Sequence, residues 1–433
     1  MKLLPFALLF IATACSFQQD PELIAPDSKE AAHELIAKSQ SLFSSSTNDA
    51  LSLSNEAIVI IEEHQFDDLK SLAYNNHGYL LDKSGQLAGA MDFYTASLSS
   101  PQENVPQVAY SHYRIGKLLA KSGFAQKAIL ELEKAVTAYR STNDIKGEYS
   151  ALYQLSHAYF QCKDLITAIS YAEKANSIAI KLPIQLQIEI NQRLLYYQLL
   201  VNDVEEAKIS ATTIGGLLLN TNRVEKHRLH MFQAEIAEKE GRIEDAAAYY
   251  QRMQEGLDPV TQQQLYPYAM SRHAAFLQEQ GEDAQALKLL QKALPQINAQ
   301  AVDFEPLESI YHQLEALSFA AGMTTEARDY QHQLLQLTKA RQEEQNNLAS
   351  QYEKAQMLAS YQQHQAAQAQ REAQARQELI INLIWVGILS VVLSIFGFFL
   401  HRYLRLQKRY RSVRTRLDNI GIALRGATGM RVE

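Results

Sequence analysis

His227 and His230 stand three residues apart, close to one helical turn, so their two imidazoles could face a single metal ion. No third ligand is apparent near them, and a packed or solvated pair is the simpler reading. Cys15 follows Ala12-Thr13-Ala14 at the end of a short apolar run, where a thiol can take up a lipid. The only other cysteine, Cys162, reads as inert packing, and two cysteines make no disulfide framework. The chain carries no glycine-rich phosphate loop, dinucleotide fingerprint, His-Glu-x-x-His pair or kinase pattern. Catalysis therefore has no visible basis, and neither a cofactor nor a metal is expected. What the chain does have is tyrosine, 22 of them, each with an apolar ring and a hydrogen-bonding tip.

The elements that must carry these side chains announce themselves by alanine. Ala50, Ala90, Ala128, Ala168, Ala207, Ala246, Ala286 and Ala327 recur 38 to 41 residues apart. Five residues before most of them stands a turn-former: Gly85, Gly123, Asn202, Gly241, Gly281 and Gly322, with Ser45 and Lys163 as exceptions. A small residue after a turn, on a period near 40, predicts stacked helical hairpins. One hairpin cannot bury its apolar face alone, so it stacks on its neighbours. Alanine lets the two helices approach closely without glycine's helix penalty. Pro101, Pro106, Pro183, Pro259, Pro267, Pro295 and Pro306 fall between the units, and no proline follows them.

The order of small, aromatic and glycine positions resembles the tetratricopeptide repeat (TPR). It is carried by Gly116, Leu119, Gly123, Ala128 and Leu132 in the third unit, and by Gly78, Leu81, Gly85, Ala90 and Tyr94 in the second. The departure is length, about 39 residues against the usual 34. The resemblance implies an all-α superhelical solenoid of about eight hairpins over 30–340. It also implies a groove lined by the first helix of each hairpin. Carrying family positions over gives Asn75, Tyr79, Tyr110, Tyr113, Lys117, Tyr153, His157 and Tyr196 as candidate peptide-binding residues. The family's carboxylate-clamp lysines and asparagines are largely replaced by tyrosine here, which speaks against recognition of a free peptide C-terminus. Packing between helices is the alternative role for any one of these tyrosines.

Two segments point to a membrane. Lys2 and the apolar run Leu3–Ala12 read as an export signal, too short to span a bilayer. Residues 1–14 would be the signal, Cys15 the lipidated first mature residue, and 15–29 a linker; ordinary signal cleavage suits Ala-Thr-Ala as well. Leu379–Leu400 is 22 residues without a charge, about 33 Å of helix, enough to cross a hydrocarbon core. Residues 401–433 then hold nine Lys or Arg against two acids, while the other 400 residues hold 32 against 46. The positive-inside rule puts this tail in the cytoplasm and the repeats outside, in a bacterial inner membrane. The tail's basic run suits anionic lipid headgroups better than nucleic acid. Leu417, Ile420, Ile422 and Leu424 offer a short contact for a cytoplasmic partner.

Residues 341–378, with 11 Gln, 8 Ala and no Gly or Pro, predict one long helix, a coiled-coil connector running into the span. Steps of four and three give a stripe of Leu348, Tyr352, Ala355, Ala359, Gln362, Ala366, Ala369, Ala373 and Arg376. Continued, it meets Gly387, Ser390, Ser394 and Gly397, all the Gly and Ser of the span. Small residues on one face let membrane helices approach, so the stripe reads as the seam of a parallel homodimer; a monomeric helix is the other reading. The order of parts resembles the periplasmic sensory part of Bacteroidetes-type TPR membrane regulators, without their output domain. A sensor that binds a protein or peptide is the function this implies, and a tethered envelope scaffold the alternative.

Overall fold

The computed structural model describes residues 28–99, 105–218, 224–299, 302 and 304–428. The expected signal, Cys15 and most of the 15–29 linker lie outside the described residues, as do the side chains of Ala366 and Leu424. Among the described residues there are sixteen α-helices, one short 3-10 turn (Leu294–Gln296) and no strand. The helices pair as α1 (Lys29–Leu42) with α2 (Thr47–Glu63), α3 (Asp67–Lys83) with α4 (Leu87–Ser99), α5 (Val105–Lys121) with α6 (Ala125–Ser141), and α7 (Ile145–Gln161) with α8 (Leu165–Ala179). The series continues through α9 (Ile184–Leu200) with α10 (Val204–Leu218), α11 (Val224–Lys239) with α12 (Ile243–Gln254), and α13 (Leu265–Glu279) with α14 (Asp283–Ala293). It ends with α15 (Phe304–Ala320) and the first turns of α16 (Thr324–Thr428). These are the eight hairpins the alanine period predicts.

Each repeat alanine is the fourth residue of its second helix. Those from Ala50 to Ala286 are fully buried, and Ala327 is 5% exposed. Facing it, the first helix also presents a small residue in most units: Gly78, Gly116, Ser156, Ala234 and Ala274 share that place in the repeat. A Cβ added to Gly116 would lie 2.6 Å from Leu132 and 3.2 Å from the Ala128 carbonyl. A Cβ on Gly78 would meet Tyr94 at 2.9 Å and the Ala90 carbonyl at 3.3 Å. Small on small is thus the usual joint of a hairpin. The buried apolar side chains run along the array as successive clusters instead of one globular core, as stacking requires.

The turns close by one device. In the second hairpin Gly85 N–H donates to the Asp82 carbonyl (3.2 Å) and Gln86 N–H to the Leu81 carbonyl (2.9 Å), and the same pair of bonds recurs at Gly123, Lys163, Asn202, Gly241, Gly281 and Gly322. This is the Schellman closure, which needs a left-handed residue. All seven have positive φ, from 61° at Asn202 to 83° at Gly123, including Lys163 at 64°.

By contact the chain divides at Ala355. Helix α16 has no break near residue 340; it leaves the eighth hairpin, where Leu334 packs with Leu307 and Tyr311, and continues for 105 residues in all. Leu348 and Tyr352, expected on an intermolecular seam, are instead buried in the core cluster of their own array, 1% and 6% exposed, with Tyr352 reaching Glu131 of α6. An apolar stripe on a helix covers the nearest apolar surface, and here the array supplies it. Beyond Ala355 the described side chains from Gln356 to Ile422 are exposed apart from the half-buried Gly421. Ala369, Ala373, Gly387, Ser390, Ser394 and Gly397 all belong to this helix, and the Ser390 and Ser394 hydroxyls donate to the carbonyls of Gly387 (2.9 Å) and Ser390 (2.8 Å). The stretch Ala367–Ile422 is long and apolar enough to cross a membrane.

An added Cβ at Gly241 would meet nothing within 4 Å, so replacing it tests the backbone alone. Gly241→Ala is expected to lose roughly 1–2 kcal/mol, and Lys163→Gly to gain up to about 1 kcal/mol. Denaturant unfolding of the full chain in detergent measures both; equal effects of one sign would refute this account of the turns.

Candidate peptide-binding face

First helices of successive hairpins touch one another, α3 on α5, α5 on α7, α9 on α11 and α13 on α15. The first helices therefore line the inner side of the array. Three positions of each first helix face that side; in the third unit they are Tyr110, Tyr113 and Lys117, at helical spacing for one face. The last of these holds Tyr79, Lys117, His157 and Tyr196 in successive repeats.

A cavity of about 590 Å³ opens there between α7, α9, α11, α13 and the start of α15. Of the candidates, Tyr153, His157 and Tyr196 line it. Asn75, Tyr79 and Tyr110 line a separate cavity of about 570 Å³ toward the N-terminal end, and Tyr113 and Lys117 line neither. Asn75 is committed to the fold: its amide donates to Gln107 twice (3.1 and 3.0 Å), and its oxygen accepts from Ser111 (2.9 Å). Tyr79 and Tyr110 flank the guanidinium of Arg114, 4.8 and 5.7 Å from their ring centres. These contacts tie all three into the packing of the array. His227 and His230 gather no third ligand; no metal-binding group of three appears among the described residues.

The larger cavity holds residues the sequence reading passed over: Glu189, Arg193, Arg228 and Tyr268. Glu189, Arg228 and Tyr268 occupy in their units the place that Tyr110 holds in the third, so the period alone could have found them. Arg193 in the fifth unit holds the place of Arg114 in the third and Arg272 in the seventh.

These three arginines differ in one respect. Each reaches back to the preceding first helix. Arg114 pairs with Asp82 and donates to the Tyr94 hydroxyl (2.9 Å). Arg272 pairs with Glu235 (3.1 Å) and Glu238 (3.8 Å). Arg193 meets only neutral groups, the Tyr153 carbonyl (2.7 Å) and the Ser156 hydroxyl (3.4 Å), with its guanidinium 3.5 Å from the centre of the Tyr153 ring. At the place that Asp82 and Glu238 hold in their units, the fourth unit has Phe160. Arg228 likewise donates to a neutral group, Gln192 (2.8 Å). Neither Arg193 nor Arg228 joins an ion pair among the described residues. Glu189, one turn before Arg193 on α9, and Glu305 line the same cavity, but no carboxylate among the described residues pairs directly with either arginine, so their half-buried charge is only partly matched.

The ring groups here are neutral near pH 7. Burial pushes Tyr153 up to about 12 and raises Tyr196. Burial, then the Arg193 charge, pulls His157 down to about 4. Burial lowers His273 to about 4 as well, where it stacks 4.8 Å from Tyr250. An unfolded chain protonates histidine near its ordinary 6.5, so the stability these neutral rings contribute is complete above that value and is lost as pH falls from 6.5 toward 4. Between pH 7 and 5 the unfolding free energy of the full chain should fall, and His157→Gln should remove roughly 1–2 kcal/mol of that fall. Identical slopes would show that His157 is not held neutral.

The sequence pattern of the tetratricopeptide repeat matches residues 149–179, the α7–α8 hairpin. No curated protein matches the chain by sequence. Among solved structures, a tetratricopeptide repeat protein from Parabacteroides merdae is 16% identical with a TM-score of 0.50, covering 66% of this chain and 99% of its own. A signal transduction ATPase with numerous domains (STAND) from Pyrococcus horikoshii, which has a tetratricopeptide repeat sensor, is 13% identical with a TM-score of 0.50; the match covers 73% of this chain and 48% of that one. At such identities the likeness is one of fold: the array is a TPR-like succession of helical hairpins followed by a long apolar helix.

Proposed function

We propose that this chain is a non-enzymatic, membrane-anchored receptor whose array binds an extended, acidic peptide segment of another protein. The observation that carries the reading is the missing carboxylate at Arg193. The same arginine position is neutralised from within in two other repeats, and here the charge faces a cavity walled by Tyr153, Tyr196 and Tyr268. A ligand Asp or Glu supplies the absent partner, and the aromatic walls take the segment's apolar side chains. Arg228, one repeat further along, receives a second acidic group. Glu189 on the same wall disfavours like charge at its own position and so sets the register of the bound segment.

The rest of the reading concerns place. The span near 379–400 anchors the chain in a bacterial inner membrane, with the array in the periplasm and the basic tail in the cytoplasm. Cys15 is a lipidation site, and the small-residue face through Ala366, Ala369, Ala373, Gly387, Ser390, Ser394 and Gly397 is the contact between two parallel copies. A signalling role requires the tail to meet a cytoplasmic partner near Leu417.

A photo-reactive residue in place of Tyr268, used in the native host cells and read by mass spectrometry, tests the binding site. A specific protein adduct is expected. It should fall at least tenfold in Arg193→Ala with Arg228→Ala, and also in Phe160→Glu, which provides the carboxylate from within. An adduct indifferent to all three substitutions would remove the acidic-segment reading. Adducts at Tyr268 with only lipid at a probe on Leu417 would make the protein a tethered scaffold.

A further inference from the structure

Helix α16 does more than lead away from the array. Within the compact unit ending at Ala355 it doubles back over hairpins from much earlier in the chain. Leu348 and Tyr352 enter the core cluster that runs from α3 to α9. The Tyr352 hydroxyl donates to Glu131 (3.1 Å), a carboxylate only 2% exposed that also receives His112 (2.7 Å) and Lys134 (2.8 Å). Lys127 pairs with Glu353 at 2.9 Å. Nearer the N-terminus of α16, the Gln345 amide lies so close to Gly123 that a Cβ there would be 2.9 Å away.

The same stretch of helix forms part of the binding cavity. Arg341 lines it, pairs with Glu305 (2.9 Å) and stacks 4.3 Å from the centre of the Phe304 ring. Glu305 and Gly123 line the cavity too. Arg341, Gln345, Leu348, Tyr352 and Ala355 are spaced by fours and threes, one narrow stripe. Between them the residues are exposed or half-buried. Docking of this stretch therefore rests on two buried side chains and a few polar contacts, while the helix itself is unbroken. A rod held along so thin a line leaves or returns as a unit.

We infer that residues 341–355 are a movable wall of the cavity, so that an occupant of the cavity and the docked position of α16 reinforce each other. The inference rests on the binding reading above. An occupant that reaches Arg341 gains that contact only while α16 is docked. By reciprocity, whatever favours docking raises affinity, and whatever occupies the cavity favours docking. The helix that reports the change is the one that carries the apolar span. Regulation of the site and the connection to the membrane are then a single element.

Thiol crosslinking across the Lys127–Glu353 pair reads the docked state. The full chain with Cys162→Ser receives Lys127→Cys and Glu353→Cys and is treated in its native host cells with a short flexible bis-maleimide, which spans the reach of the two replaced side chains where a direct disulfide would demand much closer backbones. An intramolecular crosslink is expected, and Leu348→Ala with Tyr352→Ala should abolish most of it. Arg193→Ala with Arg228→Ala, which are outside the docking contact, should lower trapping at least threefold. Arg193→Lys with Arg228→Lys should restore most of it, and the outer-face control Ile166→Ala should leave it unchanged. Trapping that is equal with and without the cavity arginines overturns the coupling, even if the Tyr268 adduct is lost as the binding reading requires. Absence of a crosslink in every background overturns the docked wall itself. Loss in the arginine pair that lysine does not restore assigns the effect to folding and also counts against the coupling.

Discussion

The joint between the two helices of each hairpin governs everything else in the array. The fourth residue of every second helix is a buried alanine, and in the second and third hairpins it faces a glycine at which an added Cβ would clash. In the second to eighth hairpins a left-handed turn precedes it by five residues, so the joint and its turn recur together along the array. The places of Tyr110, Tyr113 and Lys117, and their equivalents in the other repeats, are left free of the joint, and the chain sets its tyrosines and charges there.

Buried charge is handled in two ways in this array. Arg114 and Arg272 are set among aromatics and matched by carboxylates from the neighbouring helix, with burial opposing and nearby groups favouring their charged state. Glu131 is matched from three sides; burial alone would raise it, but hydrogen bonds from His112 and Lys134 hold it near 2. Against that background Arg193 and Arg228 are exceptions, and they line the same cavity. The proposed acidic segment would supply there the carboxylates that the array provides to Arg114 and Arg272 from within.

Much of this was legible in the sequence. The eight alanines and their turn-formers located the hairpins; Asn202, read as a turn-former, adopts the backbone that glycine normally supplies, and so does Lys163, which the sequence marks as an exception. Gln65 and Asn143 do the same between hairpins with no sequence sign of it. The positions carried over from the family end at Tyr196 and leave out Glu189, Arg228 and Tyr268, which hold in the fifth, sixth and seventh units the place of Tyr110 in the third. The contacts of Asn75, Tyr79 and Tyr110 with Gln107, Ser111 and Arg114 were not legible, because they are fixed by how the hairpins stack. The docking of Leu348 and Tyr352 was illegible for a related reason. Periodicity identifies a face of a helix and is silent on what covers it.

That last feature limits how two copies of the chain can join. A side chain has one set of neighbours at a time. While Leu348 and Tyr352 are folded into the core of their own array, any zipper between parallel helices must begin below Ala355, and its upper two rungs are missing. Drawing those rungs into the zipper would strip the array of its returning helix. Were two copies to pair along this stripe, a longer zipper would compete with the docked helix for the same two side chains.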